Sequence, residues 1–140
     1  MSDLSKYIIN LLVVLVLILL NGFFVAAEFA LVSVRKTRIE ELVHQGNRKA
    51  KRVHRALSHL DTYIAATQLG ITMASLALGF VGEPTLTPML EPLLRFLPAK
   101  ETLLTSHGVA LTIAFVIVTA LHIVFGELAP KSVALQRPEN

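Results

Sequence analysis

Residues 11–20 are ten consecutive aliphatic side chains with no polar group among them. They lie inside a longer apolar segment, residues 7–34. Two further segments follow, residues 62–82 and 108–128, each 21 residues long. A helix needs about 20 apolar residues to cross the ~30 Å hydrocarbon core of a bilayer. The second segment carries no charge, and the third carries His122 and Glu127 only near its end. The chain is 54% hydrophobic and 16% charged, against about 25% charge in ordinary soluble domains. That balance excludes a typical globular fold, a disordered chain, a coiled coil and a collagen. The pattern predicts an all-α membrane protein with three transmembrane helices. As a helix, residues 7–34 would span roughly 42 Å, so the part beyond Asn21, Gly22 and Glu28 should reach the interface or be shielded by other helices. Val25-Ala26-Ala27 resembles a signal-peptide cleavage site. Against that reading, Asp3 and Lys6 leave the start without net positive charge, and the apolar pattern continues past the cut.

Charge sets the expected orientation. Arg35, Lys36, Arg38, Arg48, Lys49, Lys51, Arg52 and Arg55 lie between the first two segments, whereas Arg95 and Lys100 alone lie between the second and third. The positive-inside rule then places residues 35–60 and the C-terminus in the cytoplasm and the N-terminus outside. Within the basic stretch, Ile39, Leu42, Val43, Ala50, Val53, Leu57 and Leu60 recur at helical spacing, and Gly46-Asn47 interrupts them. This predicts a cytoplasmic juxtamembrane helical hairpin. Such a surface serves anionic lipid, a docking domain, or topology alone. Nucleic acid is not expected, because no aromatic side chain interleaves with the charges as a stacking platform.

In the outer loop, residues 83–107, Pro84, Pro88 and Pro92 recur every four residues and Pro98 follows. Each removes a backbone donor. The expectation is a short Pro-rich outer helical segment, amphipathic or re-entrant along Leu86, Leu90, Leu93, Leu94 and Leu97, rather than one long helix.

Polar groups inside spans are costly and each needs an account. Asn21 and Glu28, seven apart, share a helical face. Gln68, Thr72, Ser75 and Gly79 form a polar and small stripe; Ser75 and Gly79 read as helix packing, and Gln68 and Thr72 as oxygen donors for a cation or polyamine. Thr112, Thr119, His122 and Gly126 share a face of the third span, where His122 reads as a packed, hydrogen-bonded residue. Pro130 lacks an N–H, so in a regular helix the Gly126 carbonyl has no partner. Beside the Glu127 carboxylate it makes two hard oxygens at a helix break, the ligand type magnesium prefers and the place where transporters hold ions. The alternative is a helix ending at the interface, with Lys131 pairing with Glu127 or lipid phosphate. The chain has no Cys, hence no disulfide or thiolate site. No nucleophile–base pair, P-loop or dinucleotide fingerprint supports an enzyme.

Four ordered motifs carry a resemblance: residues 21–31 (Asn21-Gly22-Phe23-Phe24 through Glu28-Phe29-Ala30-Leu31), Gly46-Asn47-Arg48, Gln68-Leu69-Gly70 and Phe125-Gly126-Glu127-Leu128-Ala129-Pro130-Lys131. Together they resemble the transmembrane domain of the CNNM/CorC family, also called HlyC/CorC or hemolysin-like, over nearly all of residues 1–140. The resemblance implies a homodimer in the cell membrane with an inward-facing cavity. It implies efflux of magnesium, with cobalt resistance as a related phenotype, and sodium as the coupling ion. No covalent cofactor is implied. Full-length relatives continue into a cytoplasmic belt-like helix, a CBS-domain pair that binds ATP-magnesium and a small C-terminal domain. The present chain ends where the belt helix would begin and contains no CBS domain, so it is expected to be a truncated transmembrane domain. The candidate metal-site residues are Glu127, Gly126, Glu28, Asn21, Gln68 and Thr72, with Pro130, Lys131 and Gly70 as structural motif residues. Val25 and Ala27 stand where magnesium-binding members have serines, and Ile71 and Thr72 where they have asparagines. In this the chain is similar to the branch for which export of polyamines such as cadaverine and putrescine is proposed. A non-transporting membrane scaffold is the third alternative.

Overall fold

The structure is a computed structural model and describes residues 3–94 and 103–136. The described residues form helices and short connections, with no strand among them. Helix α1 covers Asp3–Ser33, α2 Lys36–His44, α3 Arg48–Ser58, α4 Leu60–Leu94 and α5 Leu103–Leu121. A π-helical stretch, His122–Leu128, then leads into α6, Ala129–Gln136. Arg95, Leu97, Pro98 and Lys100, used above for the outer loop and its charge, lie outside the described residues.

Three stretches are long and apolar enough to cross a membrane: Ser5–Ser33, Leu60–Leu90 and Gly108–Gln136. The first runs unbroken through Val25-Ala26-Ala27, with Val25 buried in the bundle. α4 packs along both α1 and α5, and α1 meets the third span mainly along the π stretch and α6. Val14, Ile18, Leu78 and Val118 form the apolar cluster where the three spans meet, with Leu17, Val81 and Leu86 against it. Small residues permit the close approach. Ala110 and Ala114 are fully buried, and a Cβ on Gly82 would lie 3.0 Å from a Val118 methyl. Only 28%, 17% and 17% of the three most apolar windows are buried, so most of the apolar surface faces outward, as it does for helices solvated by lipid.

The hairpin forms as its sequence predicts. α2 ends on Gly46, whose φ of +84° is left-handed backbone that glycine adopts without a Cβ clash. Asn47 N donates to Leu42 O at 3.0 Å and Gly46 N to Val43 O at 3.0 Å, the paired bonds of a Schellman termination. The Asn47 side chain then caps α3, accepting from Lys49 N at 2.9 Å and Ala50 N at 3.2 Å. Ala50, Leu57, Ile39 and Val34 close a small core between α2 and α3, with Leu31 and Leu60 of the flanking spans at its edge. Gly46→Ala should cost about 1 kcal/mol through the left-handed backbone. The expected result is faster amide hydrogen exchange confined to α2 and α3.

One expectation fails. Residues 83–94 are not a separate outer segment, because α4 continues to Leu94 through Pro84, Pro88 and Pro92. The reason is their four-residue spacing. The missing donors all fall on one side of the helix, where Pro84 and Pro88 are exposed, and the other side keeps its ladder. Thr85 and Thr87, which flank the prolines around the helix, are 2% and 3% exposed. Their hydroxyls donate back to the carbonyls of Val81 and Glu83, so these buried polar groups need no outside partner.

Candidate functional site

The third span departs from α-helical register where it meets α1. Over His122–Leu128 the backbone is π-helical, and Ala129 N donates five residues back to Val124 O. Such bulges mark places where a helix has been locally re-aimed, often at functional positions. Pro130, which offers no N–H, sits just beyond.

α1 approaches this stretch at Gly22. A Cβ there would lie 2.9 Å from Pro130 Cγ and 3.2 Å from the Phe125 carbonyl, so no larger residue fits without displacement. The neighbouring Asn21 is 1% exposed and turns its amide into the break. Its Nδ2 donates to Gly126 O at 2.9 Å, a buried bond between residues 105 apart in sequence. Gly126 must itself be bare, because a Cβ would stand 2.8 Å from His122 Cδ2 and 3.2 Å from Asn21 Nδ2.

The second span completes the junction. Ser75 Oγ lies 3.3 Å from Asn21 Oδ1, to which it donates, and 3.3 Å from His122 Nε2. A hydroxyl has one proton to give. With that proton on the bond to Asn21, Nε2 donates to Ser75. A directed chain then runs from His122 through Ser75 and Asn21 to Gly126 and ties all three spans together. No buried side-chain nitrogen or oxygen among the described residues is left without a partner.

The Gly126 carbonyl is therefore not bare, as the proline argument alone predicts. Asn21 already satisfies it, and this corrects the picture of a naked oxygen facing a vestibule. The next residue, Glu127, is exposed, and Glu28 on α1 is half-buried. Gln68 and Thr72 are exposed, and the Thr72 hydroxyl donates to its own helix at Gln68 O, 2.9 Å away. Of the six candidate ligand residues, hydrogen bonding across helices joins only Asn21 and Gly126. Among the described residues no three His, Cys, Asp or Glu side chains gather into a metal-holding group.

The three motif residues act as packing elements. A Cβ on Gly70 would lie 2.7 Å from three atoms of the Phe24 ring, so Gly70 is the notch on α4 that receives Phe24. Pro130 rests on Gly22. The Lys131 ammonium sits 4.4 Å above the Phe29 ring, a cation–π contact, a partner that neither reading of the helix end named. Ser75, which the sequence reads as helix packing, does face the neighbouring spans and bonds to Asn21 and His122; Gly79, read the same way, is exposed.

Three apolar spans, an intramembrane polar junction and a basic juxtamembrane hairpin define a multi-pass membrane domain. Residues 12–140 match the family described as the cyclin M transmembrane N-terminal domain, CNNM, and the chain belongs to that family. It is 46% identical over 132 residues to UPF0053 protein YhdP of Bacillus subtilis, a match covering 94% of this chain and 29% of the relative. UPF0053 protein YugS of the same organism is 45% identical over 132 residues, with 94% and 30% covered. UPF0053 protein sll0260 of Synechocystis is 37% identical over 136 residues, with 97% and 30% covered. The chain thus spans less than a third of the length of these relatives.

Proposed function

We propose that the chain is the membrane domain of a cation exporter, with divalent magnesium or cobalt as the cargo and sodium as the coupling ion. The observation that carries this reading is the π-helical break at Gly126-Glu127, bridged by Asn21 and lying beside an exposed carboxylate. A carboxylate is a hard oxygen donor suited to such ions, and interrupted helices are where transporters bind them. Membership of a transporter-type membrane family supports the same reading and points away from an enzyme.

In this reading a second copy faces part of the exposed apolar surface, and Glu127, Glu28, Gln68 and Thr72 line the path. A CBS-domain pair in the longer relatives is the expected cytoplasmic partner. The excess of basic residues in the hairpin supports a cytoplasmic hairpin and C-terminus, with the N-terminus outside.

Polyamine export is the second reading. Val25, 2% exposed, puts a buried methyl pair where a magnesium site of this family would want a hydroxyl. Long dications ask for spaced carboxylates rather than a dehydrating oxygen cage, and Glu28 and Glu127 offer two.

Proteoliposomes containing the chain and loaded with magnesium test the first reading. Glu127→Gln should lower magnesium release at least tenfold with the protein still inserted. Equal release by the variant and the parent rejects the site. Transport of putrescine but not magnesium selects the second reading, and movement of neither solute rejects export altogether.

A further inference from the structure

The exposed face of α3 has an arrangement that topology alone does not require. Arg48, Lys51, Arg52 and Arg55 fall at i, i+3, i+4 and i+7, and all four are exposed. On a helix these positions share a strip about 100° wide. Ala50, Val53 and Leu57 occupy the opposite face and are packed into the hairpin core. α3 contains no acidic residue. On α2, Glu41 is engaged by Arg38 at 2.7 Å and Gln45 at 3.5 Å, both from its own helix or its cap. Glu40 and Asp61 are the other acids close in sequence, and both are exposed.

The strip is also fixed in place. Leu31 at the end of α1 and Leu60 at the start of α4 pack against the same small core, so the apolar face of α3 is pinned to the ends of two spans. α3 ends at Ser58 and α4 begins at Leu60. Along the helix the four charges cover only ~10 Å, close to the ~8 Å screening length at physiological salt. The two span ends thus keep this row of cations next to the membrane-spanning segments.

The geometry points to the Arg48–Lys51–Arg52–Arg55 strip of α3 as a binding site for the phosphate of anionic membrane lipid headgroups. Three of the four side chains are guanidinium groups, which match phosphate oxygens in pairs. Juxtamembrane clusters of four or more basic residues attract anionic lipid in proportion to their number. An acidic protein surface would be attracted to the same charges. The lipid is favoured because the two flanking spans place the strip within reach of headgroups before any partner arrives. The positive-inside rule asks only for a number of charges, whereas this site depends on their sharing one face of a folded helix.

The test is thermal unfolding of the purified chain in neutral detergent with added dioctanoyl phosphatidylglycerol. The expected result is a rise in melting temperature that dioctanoyl phosphatidylcholine does not produce and that high salt weakens. The variant with Arg48, Lys51, Arg52 and Arg55 all changed to Gln should need about tenfold more phosphatidylglycerol, or more, for the same rise. A second variant, with Arg48, Arg52 and Arg55 changed to Lys, keeps the charge but loses the paired guanidinium contacts, and should respond between the parent and the Gln variant. If the Gln variant does not fold, the salt dependence in the parent and the response of the Lys variant decide. An unchanged response in the Gln variant, an equal response to phosphatidylcholine, or no effect of salt on the parent overturns the site. Inorganic phosphate matching phosphatidylglycerol would make it a free-anion site. A stronger response to polyglutamate would make it a protein-docking face. Either outcome overturns the lipid assignment.

Discussion

Asn21→Leu is expected to destabilise the bundle by about 2 kcal/mol, within the range for orphaning a buried hydrogen-bonding group. Leucine has the same branching and number of heavy atoms as asparagine, so the change acts chiefly on the polar contacts. The Gly126 carbonyl loses its donor, 2.9 Å away, and Ser75 loses the acceptor at 3.3 Å. Water cannot replace them deep among the spans. Interhelical hydrogen bonds in membrane proteins often measure well under 1 kcal/mol, because the unfolded reference also finds partners. Two bonds and one orphaned carbonyl place this position above that average. Reversible unfolding in mixed detergent micelles is the measurement. Ser75→Ala removes the bonds to Asn21 and His122 but leaves the Gly126 carbonyl satisfied, so its cost should be smaller. Equal costs for the two variants would mean that the amide does not hold the break.

Gly70→Ala is expected to cost 1–3 kcal/mol, the usual range for overfilling a packed contact. The added methyl would stand 2.7 Å from three atoms of the Phe24 ring, and an aromatic ring is rigid and cannot yield at one atom alone. The ring must swing out or α1 must move from α4. A compensating change tests the cause. Phe24→Leu supplies a narrower side chain, so the double variant should be more stable than the sum of the single costs by 1 kcal/mol or more. Strict additivity would show that Gly70 serves something other than the Phe24 notch. Both effects should appear as lower unfolding midpoints in the same micelle assay.

Much of the architecture is legible along the chain because it rests on local rules. Residues 11–20 cannot be solvated by water as a helix, and two further apolar stretches of membrane-spanning length follow. The hairpin is legible because Gly46 and Asn47 carry its turn in their own chemistry, one by accepting positive φ and the other by capping the next helix. The proline run escapes the same local logic. Each proline does delete a donor, but the fate of the helix depends on which side the losses fall and on Thr85 and Thr87 finding acceptors within their own helix.

The candidate site divides in the same way. Sequence alone determined that the third span would break near Pro130 and that a carbonyl there would need a partner. Only the tertiary structure decided that the partner is Asn21, brought from 105 residues away by the close approach of Gly22 to Pro130. It also decided that Ser75 and His122 extend the chain of hydrogen bonds, while Gln68 and Thr72, on the same stripe as Ser75, face outward. A missing donor is a property of one residue, but the group that replaces it depends on which helices touch and at what depth. That contact is set by small residues and ring shapes on separate segments, which no local pattern records.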